Sequence, residues 1–241
     1  MSAGRGLRQL YRRFWPGSAQ TAFTRIYREQ TWGSEGGGSG RGSSVANTAQ
    51  ARAVLSQVMA DHGIHSLLDA GCGALAWTDQ VIAAQIARDP RFRYHGIDIV
   101  AAVIDANRAR LRAPQYRFDC ADLTEPQAWP GYDLILCRDA LQHLPYAAIA
   151  GICRSFALSA PRYLLLTSFN GCGDNRDIAY GQFFRCDLQS PPFGFSDGLI
   201  ARYDDHRPTG RQQGQQLNLY DFAALAASPG FRAFVTRYAR A

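Results

Sequence analysis

A short apolar run that breaks into two glycines constrains the fold of this chain more than any other stretch. Residues 66–70 read Ser-Leu-Leu-Asp-Ala and are followed by Gly71, Cys72 and Gly73. The apolar run indicates a buried strand, and the glycines indicate a tight turn that opens a helix. Because glycine has no Cβ and tolerates positive φ, the backbone of such a turn can approach a ligand closely. The helix that follows then presents free N–H groups to the ligand.

A second apolar run ends in an acid at a suitable distance from these glycines. Residues 94–100 contain Asp98, and the apolar residues of the intervening stretch, 79–89, have helical spacing. In nucleotide-binding sheets, an acid about 20 residues after the glycines accepts hydrogen bonds from ribose hydroxyls. The third glycine of the dinucleotide fingerprint is absent, since Leu75 and Ala76 fill the later positions. This departure disfavours a dinucleotide as the ligand.

Four segments, in order, resemble the motifs of the class I S-adenosylmethionine-dependent methyltransferases. Residues 68–73 resemble the first motif, and residues 96–98 resemble the second, which binds ribose. Residues 118–123 resemble the third, in which an acid meets the adenine amino group, and residues 132–144 resemble the fourth. The four motifs together are specific, whereas any one of them alone is not.

The resemblance implies an α/β fold with a doubly wound, mostly parallel seven-stranded sheet, an antiparallel last strand and an N-terminal helical and glycine-rich cap. The alternation of strand and helix patterns after residue 66 also predicts a parallel sheet with helices on both faces. We expect residues 1–43 to form a basic segment and a Gly/Ser-rich lid, and residues 44–241 to form the methyltransferase domain. Within that domain, the aromatic-rich residues 170–210 are expected to form a substrate-facing insertion.

Three further elements are predicted in the second half of the chain. Residues 141–157 have the spacing of a helix, and so do residues 217–227. Residues 233–238 follow a Pro-Gly-Phe sequence and are predicted to form the last strand. This ending resembles the antiparallel final hairpin of the methyltransferase family.

The N-terminal segment, residues 1–18, is rich in arginine and has apolar residues at helical spacing. Three interpretations stay open: a surface helix docked on the domain, an interfacial membrane anchor, or a targeting peptide. A docked or disordered segment is favoured, because the run is short and weakly apolar for an anchor.

The Gly/Ser-rich residues 33–44 are either a flexible linker or a lid. Together with the aromatic residues before them, they resemble an N-terminal segment of some bacterial methyltransferases of unassigned substrate. A lid would exclude water during methyl transfer. The residues expected to line the substrate or lid region are Tyr27, Trp32, Ser39, Gly40 and Ser43.

The resemblance assigns cofactor contacts to the carboxyl ends of the strands, where ligands of such sheets bind. Asp98 is expected to bind the ribose, and Asp122 the adenine N–H, with Leu123 supplying a backbone amide. The alternative for Asp122 is a helix N-cap, and Asp119 competes for the adenine if the register differs. The complete predicted set is Asp69, Gly71, Cys72, Gly73, Trp77, Asp98, Ile99, Asp122, Leu123 and Cys137.

Residues 137–143 contain the catalytic candidates Arg138, Asp139 and His143. His143 lies four positions after Asp139, so both side chains can share a helix face, with Asp139 fixing the imidazole tautomer while His143 acts as base. The alternative is an ordinary helix start in which His143 packs on the sheet. Arg138 is a candidate to hold an anionic group of the substrate or the donor's carboxylate. Trp77 either stacks on a ligand or packs in the core.

Composition narrows the class of protein. The 241 residues carry a net charge of +6 without a block of like charges, which is a mild indication of an anionic partner. The six cysteines form no C-x-x-C pair, so we expect reduced, buried thiols and no metal site. No run is long enough to span a bilayer, and no apolar segment of a secretory signal is present near the start. These features favour a cytoplasmic protein.

The predicted activity is transfer of a methyl group from S-adenosylmethionine to a hydroxyl of a small molecule or glycan. An RNA or protein methyltransferase is one alternative, although no basic patch with interleaved aromatic residues indicates RNA binding. A non-catalytic module that keeps the fold and binds the cofactor is another. The motifs do not name the acceptor.

Overall fold

A central sheet positions the other elements of the protein. The computed structural model describes residues 18–205 and 213–238. The seven strands lie in the order β3-β2-β1-β4-β5-β7-β6. Neighbours from β3 to β5 are parallel, whereas β7 is antiparallel to both β5 and β6. The strands are β1 (Ser66–Ala70), β2 (Arg93–Asp98), β3 (Tyr116–Cys120), β4 (Leu134–Cys137), β5 (Tyr163–Ser168), β6 (Leu199–Asp204) and β7 (Gln216–Asp221).

This strand order confirms the predicted α/β fold with its mostly parallel sheet and antiparallel last strand. Every residue of β1 and of β4 is buried, because helices cover both faces of the sheet and leave no side of these strands in water. The helices are α1 (Ala19–Arg28), α2 (Ala49–Asp61), α3 (Thr78–Arg88), α4 (Ala101–Arg110), α5 (Tyr146–Ser159), α6 (Phe222–Ala227) and α7 (Pro229–Tyr238).

The strand order reverses between β1 and β4. The chain runs outward from β1 through β2 to β3 and then returns to place β4 on the other side of β1. The connections that leave β1 and β4 therefore diverge to opposite sides and open a crevice at the carboxyl edge of the sheet. The glycine turn after β1 and the catalytic candidates after β4 both lie at this crevice.

The predicted elements at the end of the chain are wrong. Residues 217–221 belong to β7, and only residues 222–227 of the predicted helix are helical, as α6. Strand β7 lies between two other strands and is buried along residues 217–220, so its apolar pattern does not alternate as an exposed strand would. The antiparallel hairpin of this fold is formed by β6 and β7.

The predicted last strand, residues 233–238, is part of helix α7 instead. Ser228 caps this helix, because its hydroxyl accepts a hydrogen bond from the Phe231 N–H at 3.2 Å. Pro229 occupies the first helical position, where a missing N–H costs nothing. Phe231 and Phe234, three residues apart, are both buried against the core.

The helix predicted over residues 141–157 begins later than expected. Leu141–His143 form one separate 3-10 turn, and α5 starts at Tyr146. The interruption occurs because Pro145 disfavours helical backbone at the residue before it. That residue, Leu144, ends the 3-10 turn and has an extended ψ of 146°. Asp139 and His143 therefore do not share the face of one α-helix, contrary to the prediction.

The N-terminal region folds onto the domain. Helix α1 is followed by 3-10 turns at Glu35–Gly38, Arg41–Ser43 and Val45–Asn47 before α2 begins. The interpretations of residues 1–18 as anchor, targeting peptide or docked helix lie outside the described residues, except for Ser18, which caps α1. No helix in the described part of the chain is long and apolar enough to cross a membrane.

The expected insertion, residues 170–210, is irregular up to β6, and its residues 206–210 lie outside the described ones. Its aromatic residues are not loosely arranged: Phe184, Phe193 and Phe195 are fully buried in the hydrophobic core. This anchoring fixes the backbone around Gln182 beside the crevice.

Candidate active site

A cavity of about 920 Å³ lies at the carboxyl edge of the sheet. Its walls come from the turns after β1, β2, β3 and β4, from the N-terminal region and from residues 181–183. Ligand sites for small molecules and cofactors are typically concave and roughly 300–1,000 Å³ in volume. The cavity therefore has room for a nucleoside cofactor and a small second substrate.

The glycine turn forms the floor of this cavity. Gly71 and Gly73 have φ of +86° and +55°, a region that other residues rarely adopt. A Cβ on Gly73 would lie 2.6 Å from the Ser39 hydroxyl oxygen and 3.1 Å from the Tyr27 hydroxyl oxygen. Only glycine at position 73 allows the N-terminal region to approach the turn this closely.

Asp98 ties the end of β2 to the glycine turn. Its carboxylate accepts hydrogen bonds from the backbone N–H groups of Gly73 and Val100, each at 3.0 Å. Asn107 on α4 completes this link, because its amide donates to the Gly73 carbonyl oxygen at 2.8 Å. The sequence motifs did not predict the role of Asn107, although its place in the second turn of the next helix was visible.

Two buried acids, Asp69 and Asp98, lie on the floor of the cavity. Asp69 accepts a hydrogen bond from the Tyr94 hydroxyl at 2.8 Å, and burial raises its pKa to about 7. Burial also raises the pKa of Asp98. A carboxylate taken out of water without a cation beside it is destabilised, and a bound cation relieves that cost. This pair of acids therefore suits a positively charged ligand.

The two candidates for the adenine contact are separated clearly by their positions. Asp122 lines the cavity, together with Ile99 and Leu123. Its carboxylate also accepts from the Thr124 N–H at 2.9 Å and the Thr124 hydroxyl at 2.7 Å. Asp119 lies away from the cavity and pairs with His95 and Arg117.

The remaining residues expected at the cofactor are divided between the cavity and the core. Cys72 and Trp77 line the cavity. The Trp77 ring lies under the Arg138 guanidinium, whose central carbon is 5.0 Å from the ring centroid. Cys137 is fully buried among core side chains, and it does not line the cavity. Its position as the last residue of β4 turns its side chain into the core.

Arg138 is buried in a network of charged and polar groups. Its Nε donates to Asp205 at 2.7 Å, and its Nη1 lies 3.0 Å from an Asp139 carboxylate oxygen and 3.2 Å from the Gly42 carbonyl oxygen. Its Nη2 is buried without a hydrogen-bond partner in the described chain. The guanidinium thus has the donors of Nε and Nη1 engaged, and the two N–H groups of Nη2 have no partner in the described chain.

His143 faces the cavity with a defined tautomer. Its Nδ1 lies 2.9 Å from the Gln182 carbonyl oxygen, so this nitrogen carries the hydrogen and Nε2 keeps the lone pair. Burial lowers the pKa of His143, which keeps the ring neutral at neutral pH. The sequence had suggested that Asp139 orients the ring. The structure shows the Gln182 carbonyl oxygen at Nδ1 instead. A backbone carbonyl in an irregular segment leaves no signal in the sequence.

Residues 33–44, which we call the lid, pack over the glycine turn. The Tyr27 and Ser39 hydroxyls share a hydrogen bond of 2.7 Å directly above Gly73. Trp32, just before the lid, lies against His143 with ring centroids 4.7 Å apart. All five residues expected at the lid or substrate line the cavity: Tyr27, Trp32, Ser39, Gly40 and Ser43. This packing favours a lid over a flexible linker.

Comparisons with known proteins agree with this geometry. A family model described as a methyltransferase domain matches residues 68–158. The fold is similar to that of the N-methyltransferase NodS from Bradyrhizobium japonicum WM9, with a TM-score of 0.55 at 16% identity over 73% of this chain and 96% of that one. No curated protein matches the chain by sequence.

Two further solved structures share the fold. One is the 1,6-didemethyltoxoflavin-N1-methyltransferase of Burkholderia thailandensis with bound S-adenosylhomocysteine, at a TM-score of 0.57 and 15% identity over 83% of this chain and 85% of that one. The other is the methyltransferase domain of bacterial CtHen1, at a TM-score of 0.53 and 14% identity over 71% of this chain and 97% of that one.

The strand order and the cavity define a Rossmann-like methyltransferase fold with a large cavity at the carboxyl edge of its sheet. Residues 68–158 match the model of a methyltransferase domain, and the chain shares its fold with the methyltransferase structures named above. Proteins that share a fold can act on different substrates, so the methyl acceptor has to be inferred from the side chains of this cavity.

Proposed function

We propose that this protein methylates a hydroxyl of a small molecule or glycan, with His143 as the general base. The observation that carries the proposal is the state of His143. Its Nδ1 donates to a backbone carbonyl, its pKa is lowered by burial, and its ring faces the cavity. A neutral imidazole with a free lone pair can accept the proton that a hydroxyl loses on methylation.

The residues of the cavity fit S-adenosylmethionine. Asp98 and Asp122 are expected to bind the ribose hydroxyls and the adenine amino group, respectively. The two buried acids on the floor, Asp69 and Asp98, suit a ligand that carries a sulfonium and an ammonium. The unpartnered Nη2 of Arg138 is a donor available to the carboxylate of the same ligand.

When bound, S-adenosylmethionine supplies an electrophilic methyl group on a positively charged sulfur. The protein's contribution is position, because aligned reactants gain roughly 7–11 kcal/mol over free ones. Trp32 and the lid pack beside His143 and the glycine turn, where a bound acceptor would complete the exclusion of water and strengthen the electrostatic interactions inside the cavity. His143 takes the hydroxyl proton at Nε2, a role generally worth about a hundred- to ten-thousand-fold in rate.

Calorimetry with S-adenosylhomocysteine tests the cofactor site. We expect a dissociation constant below about 100 µM, which corresponds to about −5.5 kcal/mol. An absence of binding would exclude this activity and favour a module that keeps only the fold. A cavity of about 920 Å³ that the protein's own side chains leave open speaks for binding.

A second experiment separates the acceptor classes. The protein is incubated with S-adenosylmethionine and small hydroxyl compounds, glycosides, RNA or peptides in turn, and release of S-adenosylhomocysteine is followed. Turnover with hydroxyl compounds or glycosides is expected. Turnover with RNA or peptides alone would replace the proposal by one of those methyltransferase types.

A further inference from the structure

We propose that the acceptor is a neutral, flat aromatic compound with a hydroxyl group on its ring. This inference rests on the proposed function and specifies the substrate class of the same site. It is carried by the side chains that surround His143.

Three aromatic rings on one side of the cavity form what we call the acceptor wall: Trp32 and Phe183, which contact His143, and Phe23, which contacts Trp32. The His143 ring centroid lies 4.7 Å from that of Trp32 and 5.7 Å from that of Phe183. Phe23 extends the wall, with its ring centroid 5.9 Å from that of Trp32. These rings come from α1, from the residues just before the lid and from the irregular segment after β5, so three parts of the chain converge at the proposed base.

The acceptor wall is only partly buried, although it lines a cavity. Phe23, Trp32 and Phe183 have intermediate exposure, whereas Phe184, next to Phe183 in the chain, is fully buried. Apolar surface in contact with water costs about 25 cal/mol per Å², and a ligand that covers it recovers this free energy. Aromatic rings grouped in a concave site with partly exposed faces are typical of a binding site for another ring.

The charges around the wall disfavour an anionic acceptor. Four acids line the cavity: Asp69, Asp98, Asp122 and Asp139. The two arginines that line the described cavity are opposed by acids of their own. Arg138 pairs with Asp139 and Asp205, and Arg41 lies 3.7 Å from Glu35. The acids that line the cavity therefore outnumber its arginines, and a carboxylate or phosphate on the acceptor would enter a net negative field.

Both oxygens of Gln182, beside the wall, already accept hydrogen bonds. The Gln182 carbonyl oxygen accepts from His143, and the Gln182 side-chain oxygen accepts from the Ala179 N–H at 3.0 Å. A sugar ring carries several hydroxyls, and each one that loses water without a new partner costs about 1–3 kcal/mol. A flat aromatic ring with one hydroxyl directed at His143 leaves no such group unpaired.

The reaction balances with these groups alone. The acceptor oxygen forms a bond to the methyl carbon while the bond from that carbon to sulfur breaks, and the electron pair of the broken bond stays on sulfur. The hydroxyl proton moves to Nε2 of His143. The products are an aryl methyl ether, the neutral thioether S-adenosylhomocysteine and a protonated His143.

Binding of small probes to the protein saturated with S-adenosylhomocysteine tests this inference. The probes are methyl para-hydroxybenzoate, which is a neutral phenol, its matched anion para-hydroxybenzoate, and methyl glucoside. Ligand-observed NMR gives the three dissociation constants. We expect the neutral phenol to bind about tenfold more tightly than the anion, a difference of about 1.4 kcal/mol, and methyl glucoside to bind more weakly than the phenol.

Variants locate the binding. Phe183→Leu is expected to weaken binding of the neutral phenol by about tenfold while S-adenosylhomocysteine still binds as in the wild type. Tyr203→Leu is the matched control, because Tyr203 is a partly buried aromatic residue on β6 that does not line the cavity. It should leave both affinities unchanged.

Equal affinity for phenol and anion, tighter binding of methyl glucoside, or no binding of any probe would each overturn the aromatic acceptor while leaving methyl transfer intact. An unchanged affinity in Phe183→Leu would also overturn it. Failure of S-adenosylhomocysteine itself to bind would overturn the proposed function, and the acceptor class with it.

Discussion

In the proposed mechanism, His143 makes turnover depend on pH through a single nitrogen, Nε2. Its Nδ1 is occupied by the Gln182 carbonyl at 2.9 Å, and burial lowers the pKa of the ring. Turnover should therefore fall as the pH drops through this lowered pKa, because protonation removes the lone pair on Nε2. Above that pKa the rate should be flat until other groups titrate.

The substitution His143→Asn tests this role. The Asn amide can replace the Nδ1 donor to Gln182, but the variant has no group at the place of Nε2. We expect kcat to fall by about a hundred- to ten-thousand-fold and the acidic limb of the pH profile to disappear. The affinity for S-adenosylhomocysteine, measured by calorimetry, should stay within about twofold, since tenfold would already require 1.4 kcal/mol of lost contact. Wild-type turnover in this variant would reduce His143 to a packing residue.

Asp69 connects pH to cofactor affinity instead. Its pKa is about 7 in the free protein because it is buried, which is above its ordinary value of 3.8. The protonated form is therefore favoured below about pH 7. Ionisation of this buried carboxyl at higher pH is unfavourable in the folded protein. A cationic ligand stabilises the carboxylate, so its binding should release a proton near neutral pH.

S-adenosylhomocysteine has no sulfonium but keeps the ammonium group, and we place that ammonium beside Asp69. The affinity for S-adenosylhomocysteine should then rise about tenfold between about pH 6 and about pH 8. In Asp69→Asn this dependence should vanish, while the Asn oxygen can still accept from Tyr94. Calorimetry in buffers of different ionisation enthalpy measures the proton release directly. A wild-type affinity that does not change with pH would mean that Asp69 is not beside the positive charge of the ligand.

At the scale of elements, the link between β2 and the glycine turn depends on one carboxylate. Asp98 uses both oxygens on backbone N–H groups, one in the turn and one at the start of α4. Asp98→Asn replaces one acceptor by a donor that faces another donor, and a buried group left unpaired costs about 1–3 kcal/mol. We expect a lower midpoint in urea and an affinity for S-adenosylhomocysteine reduced several-fold or more.

A matched control is Asp119→Asn, which changes an acid of the third motif outside the cavity. It should leave the affinity for S-adenosylhomocysteine unchanged. An unchanged affinity in Asp98→Asn as well would show that the second motif does not bind the ribose.

The lid offers a pair of glycines that separates backbone strain from contact. Gly40 and Gly33 both have positive φ, of +86° and +95°. A Cβ on Gly40 would lie 3.2 Å from the Trp32 carbonyl oxygen and Cβ, whereas a Cβ on Gly33 would meet nothing within 4 Å. Both alanine variants should lose about 1–2 kcal/mol of stability through the backbone.

Only Gly40→Ala should also displace Trp32 from His143. We therefore expect this variant to raise the KM for the acceptor several-fold, as lost packing of a single ring at a site typically does. Gly33→Ala should keep the wild-type KM, and thermal unfolding of both variants gives the strain. Equal KM values in the two variants would mean that Trp32 does not line the acceptor site.

Sequence patterns specified the elements that carry motifs and failed where packing decides. The run after Ser66 and the acid Asp98 gave the strand, turn, helix and strand of the cofactor half, since each has a local requirement for glycine or burial. Strand β7 was taken for a helix because it is buried on both faces. The carbonyl of Gln182 could not be found, because backbone atoms of an irregular segment carry no residue preference. The cap signal of Ser228 and Pro229 was present and was overlooked.

At the scale of the whole molecule, one buried guanidinium joins three distant parts of the chain. Arg138 follows β4, Asp205 follows β6, and Gly42 belongs to the lid. Gln215, just before β7, also donates to Asp205 at 2.6 Å, which fixes the end of the β6–β7 hairpin. The lid is thereby held to the rigid sheet and not only to its own neighbours.

The stability losses from removing Arg138 and Asp205 should not be additive. In Asp205→Leu the Arg138 charge stays buried with fewer partners, and the loss of one partner of a buried ion pair typically costs about 3–5 kcal/mol. The double variant Arg138→Met with Asp205→Leu removes the Arg138–Asp205 pair as a whole and leaves only Asp139 without its cation, so the total loss should be smaller than the sum of the two single losses. Urea unfolding of the four proteins gives the coupling energy. A coupling close to zero would show that Arg138 is held by Asp139 and the lid alone, and that the hairpin does not contribute to closing the cavity.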